Sequence, residues 1–150
     1  MKYMKKLIFI FLFLISCSLV SSNEVETIPL IELPYQNLDG EFVSENLTNK
    51  NTIIVFWADY WGICRQELPV LEANLDNLLK NYDVIALAHS DLDSTNYWVN
   101  NNLNGILQIG ISTNEIRDEY KVIGQPLTII LNTDGEIIFR EYGYIPTKDF

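Results

Sequence analysis

Hydrophobic residues along this 150-residue chain occur in short continuous runs that alternate with segments of helical spacing. The run Asn51–Trp57 (NTIIVFW) is rich in β-branched and aromatic residues, which is typical of a strand covered on both faces. Similar runs predict further strands over 84–89, 106–111 and 127–131. Leucine spacing and candidate caps predict helices over 63–81, 94–98 (with Ser94 as cap) and 114–120.

Asp–Gly pairs between apolar runs indicate two tight turns. Asp39–Gly40 predicts an N-terminal hairpin, and Asp134–Gly135 predicts a closing hairpin whose second strand covers 136–142. Pro69 lies inside the longest predicted helix and should kink it. Strands and helices that alternate and then end in a hairpin predict an α/β fold, with one sheet flanked by helices.

The N-terminus carries the pattern of an export signal. Lys2, Lys5 and Lys6 precede the apolar run Leu7–Ile15, which is too short to span a bilayer as a mature helix. The run closes on Leu14–Cys17 (LISC), which resembles the lipobox of bacterial lipoproteins, where the cysteine is lipidated and becomes the new N-terminus. Cleavage near Ser21–Ser22 and an uncleaved anchor are the alternatives. Each places the domain outside the cytoplasm.

The chain therefore divides into a signal peptide (1–16), a lipidated tether (17–27) and one domain (28–150) that is long enough for a hydrophobic core. Its formal net charge is −10, and Lys and Arg do not cluster, so nucleic acid is not expected as a partner. The chain has two cysteines. If Cys17 is lipidated or removed, Cys64 has no partner for an intramolecular disulfide.

Metals and other cofactors are not expected from the composition. The single His and the single remaining Cys do not supply the four ligands of a usual zinc site. The sequence also lacks a Cys-x-x-Cys-His haem attachment motif. We therefore predict no metal site and no cofactor.

Two stretches resemble the TlpA/ResA-type thiol–disulfide oxidoreductases, which have a thioredoxin-like fold and are related to the AhpC/TSA peroxiredoxins. FWADYWGICRQELP (56–69) is similar to the family pattern F-W-A-x-W-C-x-x-C-R-x-E-x-P, and VIGQPLTIILNTDGEI (122–137) is similar to the stretch that contains the family's cis-proline. The resemblance implies a central mixed sheet flanked by helices and places Pro126 at the cis-proline.

Two departures from the family pattern bear on function. Trp61 occupies the place of the first cysteine, which in the family is the exposed, attacking thiolate at a helix N-terminus. Because an indole cannot attack a disulfide, dithiol exchange within this domain is expected to be lost. The family also continues past the closing hairpin with a helix, for which this sequence offers only a start at Thr147, so that helix is expected to be missing.

Three roles remain open for Cys64, the candidate catalytic residue. It is a buried remnant of the pair, a monothiol that forms mixed disulfides, or a peroxidatic cysteine. The peroxiredoxin pattern P-x-x-x-[TS]-x-x-C requires Pro at position 57 and Thr or Ser at position 61, and Trp stands at both. In the family the cis-proline borders a groove for extended chains, so Trp61, Gln125 and Pro126 are candidate binding residues.

Two hypotheses of function follow from the resemblance and its departures. The first is a membrane-anchored thiol–disulfide oxidoreductase of the cell envelope, impaired by the loss of its first cysteine. The alternative is a non-catalytic binding lipoprotein that uses the Trp61/Pro126 groove, or else an inactive remnant. The expected partners are the membrane, through the lipid, and an exported protein or peptide or a redox partner.

Overall fold

A computed structural model describes residues 32–47 and 50–146, and within these residues seven strands form one sheet. The strands are β1 Glu32–Asn37, β2 Phe42–Asn46, β3 Asn51–Trp57, β4 Tyr82–Ala88, β5 Gln108–Ile111, β6 Leu127–Leu131 and β7 Ile137–Tyr142. The helices are α1 Gly62–Ala73, α2 Leu75–Leu78, α3 Leu92–Asn102 and α4 Asn114–Glu119. The predicted α/β architecture is confirmed.

The sheet is mixed, and its strands lie in the order β2-β1-β5-β4-β3-β6-β7. Strands β3, β4 and β5 run parallel, whereas both edges are built from antiparallel pairs. The hairpin predicted at Asp39–Gly40 joins β1 to β2, and the one predicted at Asp134–Gly135 joins β6 to β7. The parallel strands all end at one edge of the sheet, which is where loops can form a site.

The continuous apolar run of β3 reflects burial on both faces of the sheet. Ile53, Val55 and Trp57 pack into one core cluster with α1, α2 and α3, while Ile54 and Phe56 pack into a second cluster with α4 and the N-terminal hairpin. Successive strand residues point to opposite faces of the sheet. A central strand that is covered on both faces therefore has mostly apolar residues at consecutive positions.

Helix boundaries differ from the predicted ones where side chains hydrogen-bond the backbone. The segment predicted as one helix is interrupted at Asn74, where the Asn74 Nδ2 donates to the Val70 carbonyl at 2.9 Å, while Pro69 lies inside α1 as predicted. α3 begins earlier than predicted because Asp91, not Ser94, is its cap. The Ser94 N–H donates to Asp91 Oδ1 at 2.8 Å.

A buried carboxylate joins the end of α1 to the loop before β5. Glu72 Oε2 accepts hydrogen bonds from Asn104 N at 2.7 Å and from Asn104 Nδ2 at 3.2 Å, and Oε1 accepts from Ile106 N at 3.0 Å and Leu107 N at 3.2 Å. Burial by itself raises the pKa of Glu72, but the hydrogen bonds from these backbone amides outweigh it and hold the pKa below its usual value. The Glu72 carboxylate thus accepts hydrogen bonds from loop N–H groups that lie before β5.

Several predictions fall on residues that the structure does not describe. These are the signal peptide 1–16, the tether 17–27 with Cys17, the first residues of the predicted domain and the helix start at Thr147. Across 32–47 and 50–146, no helix is long and apolar enough to cross a bilayer.

Candidate functional site

Trp61 stands directly before α1, in the short loop that follows β3. Its backbone is extended, with φ −98° and ψ 120°, and its side chain is 46% exposed. No side chain caps the helix at this point, while the Trp61 carbonyl accepts the Arg65 N–H at 3.1 Å. Trp61 therefore stands at the helix N-terminus, where backbone N–H groups stabilise an anion, and its indole carries no charge.

Cys64 lies in the first turn of α1 and is completely buried among residues of the first core cluster, with 0% of its surface exposed. Burial raises the pKa of the Cys64 thiol, backbone hydrogen bonds at Ala58 and Cys64 oppose the rise, and the Glu67 carboxylate adds to it. Its thiol is free, since no other cysteine lies in the described residues. A buried thiol of raised pKa is a poor nucleophile.

Alkylation of Cys64 by iodoacetamide is expected to be at least about a hundredfold slower in the folded chain than in urea-unfolded chain. The reason is that the thiol is inaccessible, and that burial raises its pKa so that the thiolate is scarce at neutral pH. Peptide mapping by mass spectrometry would follow Cys64 separately from Cys17. Fast labelling of the folded chain at neutral pH would instead identify an activated monothiol.

Pro126 and Gln125 lie at the same edge of the sheet as Trp61. Phe56 of β3 pairs with Leu127 of β6, so the residues after β3 and those before β6 emerge side by side. The Gln125–Pro126 peptide bond is cis, as the resemblance implies, and Pro126 is buried. Gln125 Nε2 donates to the Tyr60 hydroxyl at 3.1 Å, which links the cis-proline loop to the neighbour of Trp61.

The loop before the cis-proline presents an isoleucine that sequence reasoning missed. Ile123 is 90% exposed, and its N–H donates to the Tyr142 hydroxyl at 3.3 Å. That hydroxyl donates to the Lys121 carbonyl at 3.0 Å, and Arg140 donates to the carbonyls of Tyr120 and Lys121 at 2.8 and 3.0 Å. Strand β7 therefore holds the loop in place while the isoleucine side chain points away from the core.

Tyr60 and Trp61 lie in the loop after β3, and Ile123 and Gln125 lie in the adjoining loop before β6; we call these four residues the aromatic surface. Tyr60 is 59% exposed, and its hydroxyl donates to the His89 carbonyl at 3.4 Å, which ties the loop after β3 to the end of β4. Sequence reasoning missed Tyr60 as well, although it lies beside Trp61. Exposed apolar side chains on loops that are held in place by hydrogen bonds are typical of interaction sites.

A polar pocket adjoins the aromatic surface where β4 ends. Asp59, His89, Ser90, Asp91 and Ser112 are among the residues that line it. Partial burial and then the Arg117 charge lower the pKa of His89, so its imidazole is neutral at pH 7. Over the two described ranges, no three His, Cys, Asp or Glu side chains come together as a potential metal site.

The family of this domain follows from its sequence as well as its fold. The family model for a thioredoxin-like domain matches residues 39–150. The chain belongs to the thioredoxin-like domain family. The fold inferred from the resemblance, a thioredoxin-like mixed sheet flanked by helices, is thereby confirmed. No curated protein matches the chain in sequence.

Solved structures of other thioredoxin-like proteins superimpose well on this domain. StoA of Bacillus subtilis shares 22% identity, with 79% of this chain and 92% of StoA covered at a TM-score of 0.66. The exposed lipoprotein thioredoxin of Streptococcus pneumoniae shares 18%, with 77% and 92% covered, at 0.66. A secreted disulfide oxidoreductase of Mycobacterium tuberculosis shares 17%, with 79% and 89% covered, at 0.63. At these identities the likeness establishes the fold.

Within this thioredoxin-like domain the expected site residues fall into two groups. Trp61 and Gln125 lie in the exposed aromatic surface, joined through Tyr60, and Pro126 lies beneath it. Cys64 lies in the core behind Trp61 and is not part of that surface. The solvent-exposed groups at this edge are thus apolar side chains together with the Gln125 amide and the Tyr60 hydroxyl.

Proposed function

We propose that this protein is a lipid-anchored thioredoxin-like protein of the cell envelope that binds an extended segment of another protein without exchanging a disulfide with it. The observation that carries the proposal is that the exposed position directly before α1 carries no sulfur. The position of the attacking sulfur holds the exposed Trp61, and the remaining thiol, Cys64, is completely buried.

Disulfide exchange requires a sulfur that an incoming disulfide can reach. A thiolate attacks one sulfur of the bond, and the resulting mixed disulfide is resolved by a second thiol. Trp61 supplies no sulfur, and Cys64 has neither a described partner thiol nor an accessible surface. The monothiol alternative therefore requires α1 to open before Cys64 can react.

Binding requires exposed groups that are already held in place, and the aromatic surface has them. Tyr60 is fixed by its hydrogen bonds to Gln125 and His89, and Ile123 is fixed through Tyr142. Because these loops are ordered before binding, little conformational entropy is lost when a partner docks. An extended segment is the favoured partner because the family's cis-proline borders a groove for extended chains.

Trp61→Ala is expected to weaken binding of peptides selected on the unaltered chain by at least about tenfold, since exposed tryptophans are frequent hot spots. The peptides would come from a phage-displayed library of random sequences, and affinities would be measured by isothermal titration. Tyr97→Ala is the matched control, because Tyr97 on α3 is an aromatic residue that is 75% exposed outside the aromatic surface.

Peptides that bind the unaltered chain and Tyr97→Ala equally, but not Trp61→Ala, would support the proposal. Selection that enriches no peptide, or peptides that bind Trp61→Ala with unchanged affinity, would contradict it. A thermal unfolding curve of each variant would show that the comparison is made between folded proteins.

Cys17→Ser is expected to move the protein from the membrane fraction to the soluble fraction of cells that express it. The lipobox resemblance of Leu14–Cys17 supports this proposal, since a thioether-linked lipid needs the Cys17 sulfur. Incorporation of labelled palmitate and cell fractionation would measure the change. Cys64→Ser is the matched control and should keep both the label and the membrane location.

A further inference from the structure

The loop between α3 and β5 contains an asparagine that is followed by a glycine. Asn104 is the only asparagine of the chain that precedes a glycine, and both Asn104 and Gly105 are exposed to solvent. This loop also meets Glu72, the one acidic side chain among the buried residues of 32–47 and 50–146. The most reactive asparagine sequence of the chain therefore lies against its buried carboxylate.

The backbone nitrogen of Gly105 is available for reaction. Its N–H donates no hydrogen bond to any residue in the described ranges. The backbone has a φ of +82°, which suits glycine, and no atom lies within 4 Å of the place where a Cβ would stand. Because glycine has no Cβ, its nitrogen can approach the side-chain amide carbon of the preceding asparagine without a clash.

We propose that Asn104 is a site of spontaneous deamidation, which converts it to aspartate or isoaspartate and loosens the contact between α1 and the loop before β5. The Gly105 nitrogen gives up its proton to solvent and forms a bond to Asn104 Cγ, and the Cγ–Nδ2 bond breaks to release ammonia. Water then hydrolyses the cyclic imide at one of its two carbonyls. One opening gives aspartate, and the other gives isoaspartate, whose main chain runs through Cβ and Cγ.

Either product removes hydrogen bonds that Glu72 accepts. Asn104 N and Nδ2 donate to Glu72 Oε2 at 2.7 and 3.2 Å, so aspartate replaces a donor by a carboxylate oxygen and brings two negative charges together. Isoaspartate adds a methylene to the main chain just before Ile106 and Leu107, whose N–H groups donate to Oε1 at 3.0 and 3.2 Å. The end of α1 is then held less firmly to the loop.

The first test is incubation of the folded full chain in mildly alkaline buffer, followed by peptide mapping with tandem mass spectrometry. Deamidation at Asn104 should be at least about tenfold faster than at the other asparagines, since only Asn104 precedes a residue without a Cβ. Ion-exchange chromatography separates the product by its extra negative charge. The midpoint of its thermal unfolding should lie at least about 5 °C below that of the unmodified chain. An Asn104 amide that persists as long as the other asparagine amides would overturn the proposal.

Variants test the structural consequence separately from the reaction. Asn104→Asp should lower the unfolding midpoint by at least about 5 °C, whereas Asn100→Asp, which adds the same charge at an exposed position of α3, should lower it by less than about 2 °C. When Glu72→Gln is also present, Asn104→Asp should lower the midpoint less, because its carboxylate then faces an amide. Equal midpoints for Asn104→Asp and Asn100→Asp, or an undiminished loss beside Glu72→Gln, would overturn the proposal.

Discussion

Trp61→Cys is expected to turn this domain into a disulfide reductase. The new thiol should form an intramolecular disulfide with Cys64 and catalyse the reduction of insulin by dithiothreitol, whereas the unaltered chain should give the rate without protein. This expectation rests on the position of residue 61. Residue 61 lies directly before α1, one turn from Cys64, so its thiolate would be stabilised by the helix N-terminus and its pKa should fall below the roughly 8.5 of a free thiol.

In each cycle the disulfide of insulin would be reduced to two thiols while the new pair is oxidised to a disulfide, which dithiothreitol then reduces. Trp61→Ser is the matched control, since it removes the indole without adding a sulfur. Insulin precipitation kinetics and alkylation mapping would measure activity and pairing. A Trp61→Cys variant that folds but forms no disulfide would show that the geometry of α1, and not merely residue 61, prevents exchange.

Glu72→Gln is expected to lower the free energy of unfolding by about 2–4 kcal/mol, which is a large effect for a change of one atom. Three backbone N–H groups and one side-chain amide point at the two carboxylate oxygens. In either orientation the glutamine presents an NH₂ group to some of these donors, so buried donors lose their acceptor. Urea denaturation followed by circular dichroism would measure the change.

The effect of Glu72→Gln should depend on pH. Because the folded pKa of Glu72 lies below its ordinary value of 4.5, the carboxylate contributes its full stability above that pH and loses it as the pH falls through the folded value. The difference between unaltered chain and variant should therefore shrink under acidic conditions. Glu41→Gln, at an exposed carboxylate near the first turn, should change stability by less than about 0.5 kcal/mol at any pH. A pH-independent difference would contradict this account.

The central strands were predictable from sequence because their burial on both faces leaves an unbroken apolar run. β3 and β6 have the predicted bounds, 51–57 and 127–131. Helix ends were less predictable, because they depend on side chains that compete for backbone groups. Asn74 binds the Val70 carbonyl and interrupts a helix that leucine spacing would continue, and Asp91 caps α3 ahead of Ser94.

The site residues that lie inside the two family motifs were predictable from the sequence. The resemblance named Trp61, Gln125 and Pro126, and the fold brings Trp61 and Gln125 to one edge through Tyr60. Ile123 carried no comparable signal, since an exposed isoleucine in sequence looks the same as a core isoleucine. Its exposure depends on Tyr142 and Arg140 of β7, which hold its loop from the far side of the hairpin.

That the motif region 56–69 holds one sulfur is plain from the residues, because side-chain chemistry does not depend on the fold. The order of strands and helices was predictable too, through the spacing of apolar residues. The burial of Cys64, the exposure of Trp61 and the hydrogen bonds from Asn104, Ile106 and Leu107 to Glu72 become visible only in the folded chain. Burial and these hydrogen bonds join residues far apart in the chain, so they exist only after the sheet and helices have packed.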